Sequence, residues 1–160
     1  MRAAVTPSSL LALIVLASGC RATPPGKAES NAAWWIKRHV TVGSAKDVNP
    51  VQATAANIED GKQAFESYCS VCHGLDGQNT GVPFAALMSP PVPSLADAHV
   101  QAYTDGQLKW IIENGIYPSG MPPSKGVFSD DDIWRMVLYL RHLPKAGSLG
   151  DPPAYGGGSQ

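Results

Sequence analysis

The clearest periodicity lies toward the C-terminal end of the chain. Ile133, Met136, Val137, Leu140 and Leu143 recur three or four residues apart, which puts them on one stripe of a helix. Ser129-Asp130-Asp131-Asp132 opens that stripe with a capping side chain and carboxylates in the first turn. Pro144 closes it. A second stripe, Ile58, Gly61, Phe65, Tyr68, Cys69 and Cys72, predicts a helix capped by Asn57, with Glu59 and Asp60 at the positive end of its dipole. The third predicted helix has Leu108, Ile111 and Ile112 on its apolar side, Thr104-Asp105-Gly106-Gln107 as a capping box and Asn114-Gly115 as a left-handed stop. Asp97 predicts the cap of a short turn reaching Tyr103.

The segments between and around these stripes lack such a period. Residues 74–93 contain Gly74, Gly77, Gly81, Pro83, Pro90, Pro91 and Pro93 and read as an irregular loop. A structureless run of that length inside a small domain needs a surface to pack on. Residues 21–57 are rich in Ala, Pro, Gly and small polar residues, and predict a linker that, fully extended, would reach on the order of 120 Å. Residues 145–160, with Gly156-Gly157-Gly158, read as disordered. Leu10 to Ala17 forms an apolar run behind Arg2, too short to span a membrane as a helix but matching the core of a signal peptide.

The length, 160 residues, suits one small domain with appendages. A net charge of −1 gives no indication of nucleic acid as a partner. Its distribution is uneven: residues 21–50 carry five basic and two acidic side chains, a net of +3, whereas residues 57–143 carry five basic and ten acidic, a net of −5. The arm is basic and the domain acidic.

Cys69-Ser70-Val71-Cys72-His73 carries the chemistry. Two cysteines separated by two residues can each add across a vinyl group of one haem, and the following histidine then lies beneath the iron. A thioredoxin-like dithiol has the same spacing but should follow a strand in a βαβ unit, and this pair ends a helical stripe. A structural zinc site needs four ligands, and no second cysteine pair completes one. A covalent haem would also give the loop over residues 74–93 its packing surface.

Further residues carry a family resemblance over about 49–143. Asn49-Pro50-Val51, Gly61-Lys62, Phe65, CSVCHG, Pro93-Ser94-Leu95, Gly115-Ile116, Ser119-Gly120-Met121-Pro122, Ile133-Trp134 and Tyr139-Leu140-Arg141 resemble a bacterial class I monohaem cytochrome c. The resemblance implies an all-α fold with three main helices and haem-wrapping loops around one covalent haem c. The last helix would cross the first, Gly61 letting Met136 and Tyr139 approach closely, with Phe65 alongside. Cys69 and Cys72 would form the thioethers and His73 the proximal ligand. Met88, Met121, Met136, His39, His99 and His142 are the candidates for the sixth position. Met136 belongs to the core stripe, His142 to a helix end, His39 to the linker and His99 to a short turn, and Met88 remains a lesser candidate. Met121, between Gly120 and Pro122, is favoured by its sharply turning segment and by the resemblance.

His/Met ligation fills both axial sites, which implies electron transfer rather than substrate chemistry. The expected function is one-electron transfer between respiratory or dehydrogenase partners. A fixed haem subunit of a membrane oxidoreductase complex is the alternative, and a haem enzyme or gas sensor a weaker third.

Leu16-Ala17-Ser18-Gly19-Cys20 resembles a bacterial lipobox, with Ala17 where such motifs prefer Leu. It implies a signal peptide over 1–19, lipidation of Cys20 and a periplasmic, membrane-anchored protein; the chain would then divide into a tethered arm over 20–56, a haem domain over 57–143 and a flexible tail over 144–160. Ordinary signal cleavage would instead leave Cys20 free. With Cys69 and Cys72 on haem and Cys20 on lipid, no disulfide can form. Trp34 and Trp35, beside Lys37 and Arg38, would sit among lipid headgroups, dock on a partner, or pack on the domain itself.

Overall fold

The computed structural model describes residues 26–117 and 119–155. The chain divides into two units between Ala33 and Trp34. Of the first, residues 26–33 form a helix start in which the Gly26 N–H donates to the Glu29 carboxylate and the Ser30 N–H to the Gly26 carbonyl. The second unit contains everything that follows, and among the described residues it is helical, with two isolated bridges and no strand.

Helix α1 spans Lys27–Ile36 and runs into a π-helical turn, Lys37–Thr41. Then come α2, Ala55–Tyr68; α3, Ser70–His73; α4, Ala98–Gln101; α5, Asp105–Asn114; and α6, Asp130–Arg141. The capping boxes at Thr104/Gln107 and Ser129/Asp132 both form as their sequences predict. Gly115 ends α5 at φ 69°. The start of α2 differs from the expectation. Thr54, not Asn57, is the cap: its hydroxyl accepts from the Asn57 N–H, while the Asn57 amide donates to the Gln52 carbonyl and accepts from Arg135 Nε. A hydroxyl three residues upstream satisfies the free donor, so Asn57 is left to tie the helix to its neighbours.

The long stripes α2 and α6 cross, and Gly61 makes the crossing possible. A β-carbon there would collide with the Arg135 carbonyl and lie 3.0 Å from the Met136 nitrogen. Beside this contact Phe65 meets Tyr139 at 5.3 Å between ring centroids, and both are buried with Ile133, Met136, Val137 and Leu140. Helix α5 adds Leu108 and Ile112 to the same core. Arg141 locks the end of α6 to α4 and α5, donating to the Tyr103 and Gln101 carbonyls and pairing with Asp105 at 2.9 Å.

Two segments without periodicity are nonetheless held on the domain. Residues 34–51 strap across α5 and α6. Trp34 stacks on His99 at 5.1 Å, Gln107 Nε2 donates to the Arg38 carbonyl, and Asn49 Nδ2 donates to the Trp134 carbonyl. Gly106 lets this strap approach, since a β-carbon there would strike the Ser44 carbonyl. At the other end, residues 145–155 are tied to the domain at separate points where the sequence suggests a flexible tail. Pro152 is fully buried, Tyr155 meets Phe84 edge-on, and the Gly147 N–H donates to Asp76 Oδ2 at 2.7 Å. Asp76 itself is wholly buried. Burial works to raise its pKa, but hydrogen bonds from the Gly147 N–H, the Thr80 hydroxyl and the Gln78 N–H outweigh that and hold it below the ordinary value.

Gly61→Ala is expected to destabilise the domain by about 1–3 kcal/mol or more, because neither backbone can give way. Denaturant titration of the haem-loaded protein measures this, and an unchanged midpoint would show that the crossing relaxes. Asp76→Asn is expected to cost about 1–3 kcal/mol at neutral pH and to raise amide exchange over residues 145–155. A lowered folded-state pKa stabilises above the unfolded value and is lost as pH falls through the folded one. The difference between the two proteins should therefore hold down to about pH 4 and shrink below it.

Candidate haem site

Cysteines 69 and 72 are presented by the end of α2 and the single turn of α3. The Cys69 N–H closes α2 on the Phe65 carbonyl, and the Cys72 and His73 N–H groups both return to the Cys69 carbonyl at 3.1 and 3.0 Å. Gly74, at φ 74°, then turns the chain away. This one turn brings Cys69, Cys72 and His73 together, with both thiols free and half-buried. Burial, then the neighbouring Cys72, pushes the Cys69 thiol up to about 12, so it is neutral as a thiol at ordinary pH.

His73 lies against the aromatic wall, 6.4 Å from Phe65 between centroids. Burial lowers its pKa to about 4, opposed by the nearby Pro93 carbonyl. The ring is therefore neutral, the form in which imidazole binds a metal. The Pro93 carbonyl does not close a full hydrogen bond, because Nδ1 is buried without a partner. A buried nitrogen left unpaired by the protein calls for an explanation. A haem iron held by the other ring nitrogen would supply one, with the Pro93 carbonyl as the nearby acceptor for Nδ1–H. With two free thiols on the same turn and an apolar wall behind, these residues fit a covalent haem.

The loop over residues 74–93 folds beside this turn. The Asn79 N–H donates to the His73 carbonyl at 2.7 Å, its side-chain amide donates to the Val92 carbonyl, and Tyr139 donates its hydroxyl to the Leu75 carbonyl. Asn79 holds φ 64°, and its Oδ1 is buried without a partner. Sequence reasoning did not single out Asn79. Its signal was the turn chemistry of Asn79-Thr80-Gly81, since Asn tolerates a positive φ better than most residues.

Met121 lies on a separate loop, half-buried. Its carbonyl accepts from the Ile116 N–H at 3.1 Å, and Gly120, at φ 84°, makes the sharp turn before it. A β-carbon on Gly115 would meet the Met121 carbonyl, so this turn depends on a bare backbone at 115. Met88 reaches the same place: its methyl would be 3.4 Å from a β-carbon on Gly120. The proline-rich loop and the Met121 loop thus meet where Met88 packs on Gly120. Met136 is core, as its stripe suggests, and His142 Nδ1 bonds the Leu138 carbonyl near the end of α6. His99 stacks on Trp34 and His39 on Trp35. Cys20 lies outside the described residues.

Residues 56–140 match the family described as cytochrome c oxidase, cbb3-type, subunit III. The chain is also similar to a cytochrome c6 of Gracilaria tenuistipitata var. liui, 30% identical over 100 residues that cover 62% of this chain and 85% of that relative. With more than half of its length matched, the chain belongs to this family of c-type cytochromes and is an electron-transfer protein carrying covalently bound haem c.

Proposed function

We propose that this protein is a lipid-anchored one-electron carrier on the periplasmic side of a bacterial membrane, with Cys69 and Cys72 as thioether residues and His73 and Met121 as axial ligands. The observation that carries the haem site is the turn at 69–73, which holds two free thiols and a neutral imidazole whose Nδ1 has no partner. Haem bound there supplies a one-electron ferric/ferrous couple, whose potential His/Met ligation raises relative to two histidines. The chain's own residues do the rest. Burial keeps His73 neutral, Phe65 packs beside its ring with Tyr139 against Phe65, and the turn at Gly120-Met121-Pro122 would offer a thioether to a bound haem. Reaction partners would be other redox proteins in respiratory or dehydrogenase complexes.

Anchoring rests on Cys20 and the small residues before it. Several acyl chains hold a protein stably, whereas a single chain binds only marginally, at about 0.8 kcal/mol per buried CH₂. A second reading, a fixed haem subunit of a membrane oxidoreductase, is favoured by the match to a family described as an oxidase subunit. Detergent extraction followed by native separation distinguishes the two, since a fixed subunit migrates with a larger complex.

Met121→Ala should remove the weak far-red absorption band of a ferric Met-ligated haem. It should also lower the potential by on the order of 0.1 V, within the roughly 0.8 V that axial ligands span. Loss of the band in Met88→Ala, with Met121→Ala unaffected, would transfer the assignment to Met88. Mass spectrometry of the mature N-terminus should find a diacylglyceryl Cys20, and Cys20→Ser should release the domain or block processing. An unmodified N-terminus at or near Cys20 would sink the anchor.

A further inference from the structure

The strap that holds Trp34 to the domain turns its neighbours outward. Trp35, Ile36 and Val40 are 59%, 50% and 71% exposed, three large apolar side chains on one side of α1 and its π-helical turn. Their backbone is not loose. The Arg38 carbonyl accepts from Gln107, the Val42 N–H closes the wide turn on the Lys37 carbonyl at 2.9 Å, and Trp34 on the opposite side stacks on His99. Trp35 is braced as well, stacked on His39 at 4.7 Å while His39 Nδ1 bonds the Trp35 carbonyl. An apolar strip is thus presented in a fixed conformation.

We propose that Trp35, Ile36 and Val40 form a membrane-contact face that enters the headgroup region of an anionic phospholipid surface and sets how the tethered haem domain is held against it. This rests on the lipid-anchor reading, because Cys20 precedes the strip by only fifteen residues of chain. Two observations select lipid over a protein. Three side chains cover far less than the roughly 800 Å² per partner of a stable protein interface, so neither a second copy nor a tight partner fits the strip alone. The charge also matches. Lys27, Lys37, Arg38 and Lys46 surround the strip in sequence, and among the described residues none of them is in an ion pair. Basic residues beside an apolar face are drawn to anionic headgroups, at about 1 kcal/mol each near the surface, and Trp favours that zone. The domain over 57–143, at −5, is repelled by the same surface. The opposed charges favour one face of the protein toward the bilayer.

The test uses the full processed, haem-loaded protein in vesicles with about one third anionic phospholipid and a trace of a diazirine-bearing phospholipid. After illumination, lipid adducts should map to the peptide containing Trp35, Ile36 and Val40. In Trp35→Ser/Ile36→Ser/Val40→Ser, and more weakly in Trp35→Ser alone, their yield should fall at least about fivefold with the haem spectrum unchanged. Absence of adducts over 34–41, or equal yield in the triple variant, would overturn the proposal. So would a cross-linked dimer or a co-purifying protein that shields Trp35. The mass of the N-terminal peptide from the same sample judges the anchor separately: a lipidated Cys20 with no adducts at 34–41 defeats only the contact face, and adducts there with an unmodified N-terminus defeat only the anchor.

Discussion

A missing side chain governs this fold. Where α2 crosses α6, the backbone of Gly61 lies so close to that of Arg135 and Met136 that a single methyl group has nowhere to go. Close approach at that point lets Phe65 reach Tyr139, and Tyr139 in turn reaches the Leu75 carbonyl beyond the haem-attachment turn. Position in the site is therefore inherited from the helix crossing. The Cys69–His73 turn sits directly on the end of α2, so any shift of that crossing would move both thiols and the imidazole together.

Much of the helical frame was legible from the chain alone, because it is specified by neighbours in sequence. Thr104 with Gln107 and Ser129 with Asp132 each satisfy a helix start within four residues, and both formed as read. Thr54 was missed as a cap because Asn57, a stronger capping type, stood before the acidic turn and drew the assignment. The strap and the packed tail were not legible for a different reason. Gln107 meets Arg38 and Asp76 meets Gly147 across about seventy residues, and neither segment has an apolar period to announce it. Small polar residues and glycines look like linker whether they are solvated or laid flat against a helix.

The site shows the same split. Cys69, Cys72 and His73 share one turn of local sequence and could be singled out directly, whereas the contacts of Pro93 and Asn79 with that turn depend on the loop returning to it. Met121 could be singled out by its glycine and proline neighbours. That Met88 packs on the same turn, at Gly120, could not be read, because its own segment carries no signal beyond its prolines.

The strap over residues 34–51 would change the arithmetic of the proposed tether. With the proposed lipid on Cys20, a free linker to the first domain helix would be a leash of some 36 residues, but a chain pinned from Trp34 onward leaves thirteen, of which the seven from Lys27 to Ala33 belong to α1. With those seven in helix at about 1.5 Å each, the leash could reach at most about 30 Å instead of about 120 Å. For a partner in the same membrane, effective concentration falls roughly as the −3/2 power of leash length, so the pinned chain would meet it at a several-fold higher local concentration. Reach would be exchanged for encounter frequency, and a partner whose docking surface stands far above the bilayer would lie beyond the range of the anchored protein.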